Sequence, residues 1–265
     1  AAVGEILGLG VSIYLYFLAG LILVLGILSA LFIPKFAGEI KTEGGFSLVE
    51  FVQAFRDPVV WIAAISLFFV YFYYTGVTYT TPYMTGVLGV SLAAATIVAN
   101  VRNYGITLLS GPIFGWIANR FRPSVVIAIG SLVFIGALLV MMYLPTGPGV
   151  MVVACVLVVL LGFIANCSFG VVSAQLTEGK VPLTYFGAAT GLLSIIGFLP
   201  DTFSSTWFGA IMDAQTDAAG NVAASAYQQI FWILNGAALL AAVASLGLYL
   251  YLRKTRPEVE ADAGV

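Results

Sequence analysis

The sequence predicts an all-α protein, a polytopic transmembrane helical bundle of about seven spans. Three observations carry that expectation. Of 265 residues, 61% are hydrophobic and only 8% are charged, whereas a soluble domain carries about 25% charged residues. So few charges cannot cover a water-facing surface. The apolar residues gather in runs of about 20, the length a bilayer requires. Finally, the basic residues fall in alternate connections between those runs.

The runs cover approximately residues 6–33, 59–86, 91–118, 124–144, 149–175, 186–212 and 226–252. The segment PKFAGEIKTEGGFSLVEFVQAFRDP separates the first two and is long and polar. Within it Leu48, Val49, Val52 and Phe55 recur near helical spacing, which fits a short amphipathic helix along the inner membrane face or a partly ordered loop. The later breaks read VLGVS, NRFRPS, PTGPG, TEGKVPLT and DAQTDAAGN, rich in the Gly, Pro, Asn and charged residues that end helices. The domain organisation follows: a transmembrane helix over 1–34, a cytoplasmic linker over 35–57, a six-helix unit over 58–252 and a cytoplasmic tail over 253–265.

Lys35, Lys41 and Arg56 lie in the first connection, Arg120 and Arg122 in the third, Lys180 in the fifth, and Arg253, Lys254 and Arg256 in the tail. The second, fourth and sixth connections carry no Lys or Arg. The positive-inside rule makes the charged side cytoplasmic and the tail internal, in a plasma (inner) membrane. A miscounted span would have scattered these charges over both sides.

Composition also excludes functions. The net charge of −2 and the absence of a basic cluster give nucleic acid no footing. The chain has no His, so the commonest metal ligand and general base are missing. No cofactor, metal or enzymatic activity is expected. Cys155 and Cys167 lie in one apolar run, roughly 18 Å apart along a helix, too far to bridge. A retinal protein needs a mid-membrane Lys in its last span, and a seven-helix receptor an Asp-Arg-Tyr-like end to its third. Neither is present, which leaves a receptor as the remote alternative.

Arg102 is the basic residue outside the alternating pattern. It sits in the middle of the third span, where a cation is costly and marks a function by default. Asp201, in the sixth span, falls at similar depth and is its acidic counterpart. Thr96, Asn100, Asn103, Thr107 and Ser110 follow helical spacing beside Arg102 and form a polar stripe. Lipid cannot satisfy such donors, so the stripe faces other helices or a water-filled cavity. Either Arg102 lines that cavity, or it forms a fixed structural ion pair with Asp201. Tyr73, Tyr74, Asn166 and Asn235 join Arg102, Asn100 and Asn103 as candidate substrate contacts. Tyr79 and Tyr83, nearer the outer edge, read as interfacial anchors. Gly111 with Gly115, and Gly187 with Gly191, have the spacing that lets helices approach closely.

At this point the chain resembles the major facilitator superfamily. GPIFGWIANRFRPS, at the inner end of the third span, is similar to the family's loop motif through Gly115, Asn119 and Arg120, although Arg122 and Pro123 depart from it. LTEGKVPLTYFGAATGLLSIIGFLPDTF is similar to the family's connection between its tenth and eleventh helices, and WFGAIMDA to the close of the eleventh. The resemblance implies that the seven spans are helices six to twelve. It also implies that helices one to five lie elsewhere, as a further half with which this chain partners, and that substrate binds between two rocking halves. Arg102 then falls on the eighth helix, where nitrate porters and oxalate–formate antiporters place an anion-binding Arg. The nitrate signature and the eleventh-helix Lys of oxalate exchange are absent. The expected function is secondary transport of a small organic anion, ion-coupled or by exchange. Arg102 would bind the anion, Asp201 would compensate charge or couple protons, and Gly115, Asn119 and Arg120 would form a cytoplasmic gate. The alternative is a neutral or cationic substrate with Arg102 and Asp201 structural.

Overall fold

The computed structural model describes residues 2–32, 48–145 and 147–255. Lys35 and Lys41 of the long connection, and the tail beyond Thr255, lie outside the described residues. The chain divides into two units, residues 1–47 and 48–265. The first holds helix α1 (Ala2–Phe32), apolar and free of charged residues over Ser12–Ser29.

The second unit holds α2 (Leu48–Arg56), α3 (Pro58–Gly76), α4 (Thr80–Gly86), α5 (Leu92–Asn100), α6 (Ile106–Arg120), α7 (Pro123–Met142), α8 (Pro148–Val172), α9 (Ala174–Glu178), α10 (Phe186–Gly197), α11 (Pro200–Asp213) and α12 (Ala224–Thr255). A 3-10 turn over Val77–Tyr79 joins α3 to α4, and a π-helical turn over Val101–Gly105 joins α5 to α6. Among the described residues, six helices are long and apolar enough to cross a membrane. The remaining helical run, Leu92–Arg120, is not one of them, because Arg102 and its polar stripe dilute the apolar residues.

Local chemistry sets the helix starts. Asp57 caps α3 by accepting the Val59 N–H at 2.9 Å, and its other oxygen accepts the Tyr185 hydroxyl at 2.9 Å. One carboxylate thus satisfies an orphan donor of α3 and ties the start of α10 to it. Ser91 caps α5 through the Ala94 N–H. Pro123 and Pro148 open α7 and α8, where a missing N–H costs nothing. Pro200 opens α11 and separates it from α10.

Helix α12 packs on α3 and α7, α7 on α8, α3 on α10, and α6 on α8. Tyr73, Phe134, Leu138, Phe231 and Leu234 fill the core. The close approaches differ from those the glycine spacing suggests. A β-carbon at Gly115, Gly187 or Gly191 would meet nothing within 4 Å in this chain. One at Gly76 would lie 2.3 Å from Leu234 Cδ2, so α3 and α12 meet there.

Tyr79 and Tyr83 are also placed differently. Tyr83 is buried and meets Tyr227 and Phe231 edge-on, with ring centroids at 5.7 and 5.1 Å. Tyr79 packs edge-on against Phe208 at 5.2 Å. Within this chain both rings pack between helices.

Candidate functional site

The site forms where two helices lose regularity. Pro82 has no N–H to give the Thr78 carbonyl, and the chain below it narrows into the 3-10 turn. Hydroxyls occupy several carbonyls there: Thr78 donates to Thr75 at 2.8 Å and Thr80 to Val77 at 2.6 Å. Across from it, the π-turn carries Arg102. Single π-turns recur at functional sites because they re-aim one residue without breaking the helix.

Arg102 is 4% exposed. Its Nη1 donates to the Val77 carbonyl at 2.8 Å and to Thr80 Oγ1 at 3.0 Å, and its Nε donates to Asn103 Oδ1 at 3.2 Å. The guanidinium therefore bridges the two irregular turns. Asp201 lies apart: it is exposed and accepts the Tyr71 hydroxyl at 2.8 Å. The two charges are not paired in this conformation.

Beside Arg102 is a cavity of about 350 Å³. Tyr74, Asn103 and Asn166 line it with Arg102, together with Thr75, Thr78, Tyr79, Ser204, Ser205 and Phe208. Asn166 donates to the Gly162 carbonyl at 2.9 Å, and its Oδ1 accepts the Thr107 hydroxyl at 3.1 Å. Tyr74 stacks on Phe169 with centroids 4.8 Å apart. One buried cation, amides and hydroxyls converge on an aromatic wall. Such a set orients a small polar ligand.

Other candidates are placed elsewhere. Tyr73 is fully buried; it shares a hydrogen bond with Ser131 at 3.3 Å and packs on Phe134. Asn235 is buried between α12 and α7, with its Nδ2 3.8 Å from Met142 Sδ. Asn100 is exposed and does not line the cavity. Thr75, Thr78, Ser204, Ser205 and Phe208 were not singled out by the sequence. Ser204 and Ser205 carried one signal, the run DTFSSTW just after Asp201.

At the end of the bundle bearing Arg120, Gly115 and Arg120 are exposed on α6, the Arg120 side chain makes no hydrogen bond among the described residues, and the Asn119 side chain lies outside them. The contact there is between α7 and α9. Glu178 Oε2 accepts the Ser124 N–H at 2.8 Å and the Ser124 hydroxyl at 2.5 Å. Burial pushes the Glu178 carboxyl up, against the opposing pull of Ser124 and the Arg122 charge. Arg122 itself lies over the Tyr249 ring, 5.4 Å from its centroid.

Residues 1–205 match the family model of the Major Facilitator Superfamily. The chain belongs to the major facilitator superfamily. Within that superfamily it is similar to Inner membrane protein YqcE of Escherichia coli, 30% identical over 75% of this chain and 46% of the relative. It is also similar to Inner membrane protein YihN of the same organism, 27% identical over 83% and 52%. A third relative, Uncharacterized protein MG294 homolog of Mycoplasma pneumoniae, is 25% identical over 86% and 51%. The chain thus spans about half the length of the curated relatives it matches. No solved structure matches it. Its helical content, apolar spans and superfamily membership make it an integral, multi-pass membrane protein.

Proposed function

We propose that the full-length protein is a secondary transporter of a small organic anion, a carboxylate or sugar-acid-like compound, and that this chain supplies helices six to twelve. The observation that carries the proposal is Arg102, a buried cation at the wall of a cavity otherwise lined by hydroxyls, amides and rings. A carboxylate would take the guanidinium edge that Val77 and Thr80 leave open. Asn103, Asn166, Ser204 and Ser205 would meet hydroxyls, and Tyr74 and Phe208 would face the carbon skeleton. Superfamily membership supports alternating access between two halves, with Asp201 and Tyr71 coupling protons to the cycle and Arg120 latching the cytoplasmic ends.

Several features support a second half as partner. Thr96, Asn100, Asn103 and Thr107 are exposed along the Leu92–Arg120 run, and lipid would leave the Asn100 amide and the Asn103 NH2 group unsatisfied. A facing half would cover them. The names of the two E. coli relatives support an inner-membrane location, and the alternating basic residues support a cytoplasmic C-terminus. On that orientation α2 lies at the inner face with Leu48, Val49, Val52 and Phe55 exposed to lipid.

One observation favours a second reading, a neutral polyol or amine as substrate. Part of the Arg102 guanidinium is already committed to Val77 and Thr80, so its role could end at joining the two turns. Thermal stabilisation of the full-length protein by a panel of carboxylates, sugars and amines separates the readings. Carboxylates stabilise the wild type and not Arg102→Gln if the anion proposal holds. Stabilisation by sugars or amines alone, equal in both proteins, would refute it.

A further inference from the structure

Gly162 lies on α8, facing the π-turn. A β-carbon built on it would sit 2.1 Å from Arg102 Cγ, 2.9 Å from Cδ and 3.4 Å from Cβ. The stem of Arg102 therefore occupies the volume that any side chain at position 162 would need. Arg102 cannot sway aside cheaply. The clash falls at the root of its side chain, whose Cα is held in the π-turn, and its head is held by Val77, Thr80 and Asn103. The Gly162 carbonyl also accepts the Asn166 amide, whose oxygen faces Thr107. One residue thus sets the path of the cavity's cation and the direction of a neighbouring amide. A glycine in the middle of a helix weakens that helix, so its presence calls for a compensating requirement, and the Arg102 stem supplies one.

We infer that Gly162 is a specificity-determining, positioning residue: the missing side chain is a slot that holds Arg102 along α8 and aims its guanidinium at the cavity. The inference rests on the anion reading for its functional consequence, although the steric pairing stands apart from any substrate. A side chain at 162 would drive the Arg102 stem off α8 and remove the charge from the position where a carboxylate binds. Uncharged polyol recognition through Ser204 and Ser205, which do not bond to Arg102, would survive.

The test is a thermal cycle on the full-length protein, comparing wild type, Gly162→Ala, Arg102→Ala and the double variant. Alanine at 102 keeps only the β-carbon, which lies at an ordinary contact distance from the built position. Gly162→Ala lowers the melting temperature when Arg102 is present and leaves it unchanged in the Arg102→Ala background. An equal loss in both backgrounds overturns the steric pairing.

Binding of gluconate and of sorbitol, its uncharged counterpart, supplies the second measurement. Gly162→Ala weakens gluconate about ten- to a hundredfold, as does Arg102→Gln, the scale of one lost charge-assisted hydrogen bond, and leaves sorbitol unchanged. Gly170→Ala, where a β-carbon meets nothing within 4 Å, behaves as wild type. Wild-type gluconate affinity in Gly162→Ala, with affinity lost in Arg102→Gln, overturns the positioning role alone. Wild-type affinity in Arg102→Gln, or a wild type that binds no gluconate, overturns the anion reading, and the thermal cycle then decides the steric pairing.

Discussion

Tyr71 donates its hydroxyl to the Asp201 carboxylate at 2.8 Å, tying α3 to the first turn of α11. Tyr71 is held by rings on two sides, Phe169 at 5.5 Å and Phe198 at 4.8 Å between centroids. The phenol therefore presents a fixed donor to an exposed carboxylate beside the α10–α11 break. If this pair couples protons to transport, Asp201→Asn and Tyr71→Phe each reduce pH-driven uptake by about tenfold, the scale of one hydrogen bond to a charged group. The double variant is no worse than either single one, because both remove the same interaction. Additive losses in reconstituted uptake would show that the two residues act separately.

The contact of Gly76 with Leu234 makes a prediction about stability rather than transport. Gly76→Ala places a methyl group 2.3 Å from Leu234 Cδ2 in a filled core, and overpacking of this kind costs about 1–3 kcal/mol. Gly136→Ala, whose β-carbon meets nothing within 4 Å, is neutral or stabilises by about 0.5–1 kcal/mol through helix propensity. Melting temperatures of the two variants, in the same detergent, check the contrast. Leu234→Ala in the Gly76→Ala background relieves the clash.

Which of these features could be read in the sequence follows from what each depends on. Arg102 was legible because a cation at mid-span is conspicuous in any conformation. Asn103, Asn166 and Tyr74 were legible as polar groups within apolar spans. Tyr73 and Tyr74 were not separable, since adjacent helical residues differ by about 100° and only the packing of Phe134 against Tyr73 assigns the faces. Asn100 shares a face with Asn103 on a regular helix, but the π-turn between them changes the phase and leaves Asn100 outside the cavity. The 3-10 turn does the same for Tyr79, bringing it to the cavity wall. Ser204 and Ser205 carried little signal, because hydroxyl side chains can bond back to their own helix and need no cavity to be satisfied.

Glu178 gives the contact between α7 and α9 a pH dependence. Burial holds its carboxyl above the ordinary glutamate range, so the folded protein binds this proton more tightly than the unfolded chain does. The contribution to stability is then fully present below the unfolded value of about 4.3 and is lost as pH rises through the raised folded value. Lowering the pH from about 7 towards 4.3 is expected to raise the melting temperature of the wild type relative to Glu178→Gln. Other groups titrate in both proteins, so the difference between the two curves is the quantity that reports on Glu178. A difference that does not change with pH would mean that burial does not govern this carboxyl.

Arg102→Lys separates charge from shape. A lysine keeps the positive charge but has a single, strongly hydrated ammonium in place of the planar fork. Arg102 uses two of its nitrogens, Nη1 towards Val77 and Thr80 and Nε towards Asn103, to bridge the 3-10 turn and hold the neighbouring amide. An ammonium can reach the Val77 carbonyl or the cavity, but it cannot span both and also fix Asn103. If charge alone sufficed, Arg102→Lys would retain carboxylate affinity while Arg102→Gln lost it. The bridging geometry leads instead to a loss in Arg102→Lys close to that in Arg102→Gln, about ten- to a hundredfold. Thr80→Val should give a smaller loss, since it removes one acceptor of Nη1 and leaves the Val77 carbonyl in place. Isothermal titration of the full-length protein with gluconate ranks the three variants, and retention of affinity by the lysine variant alone would show that position 102 supplies charge without geometry.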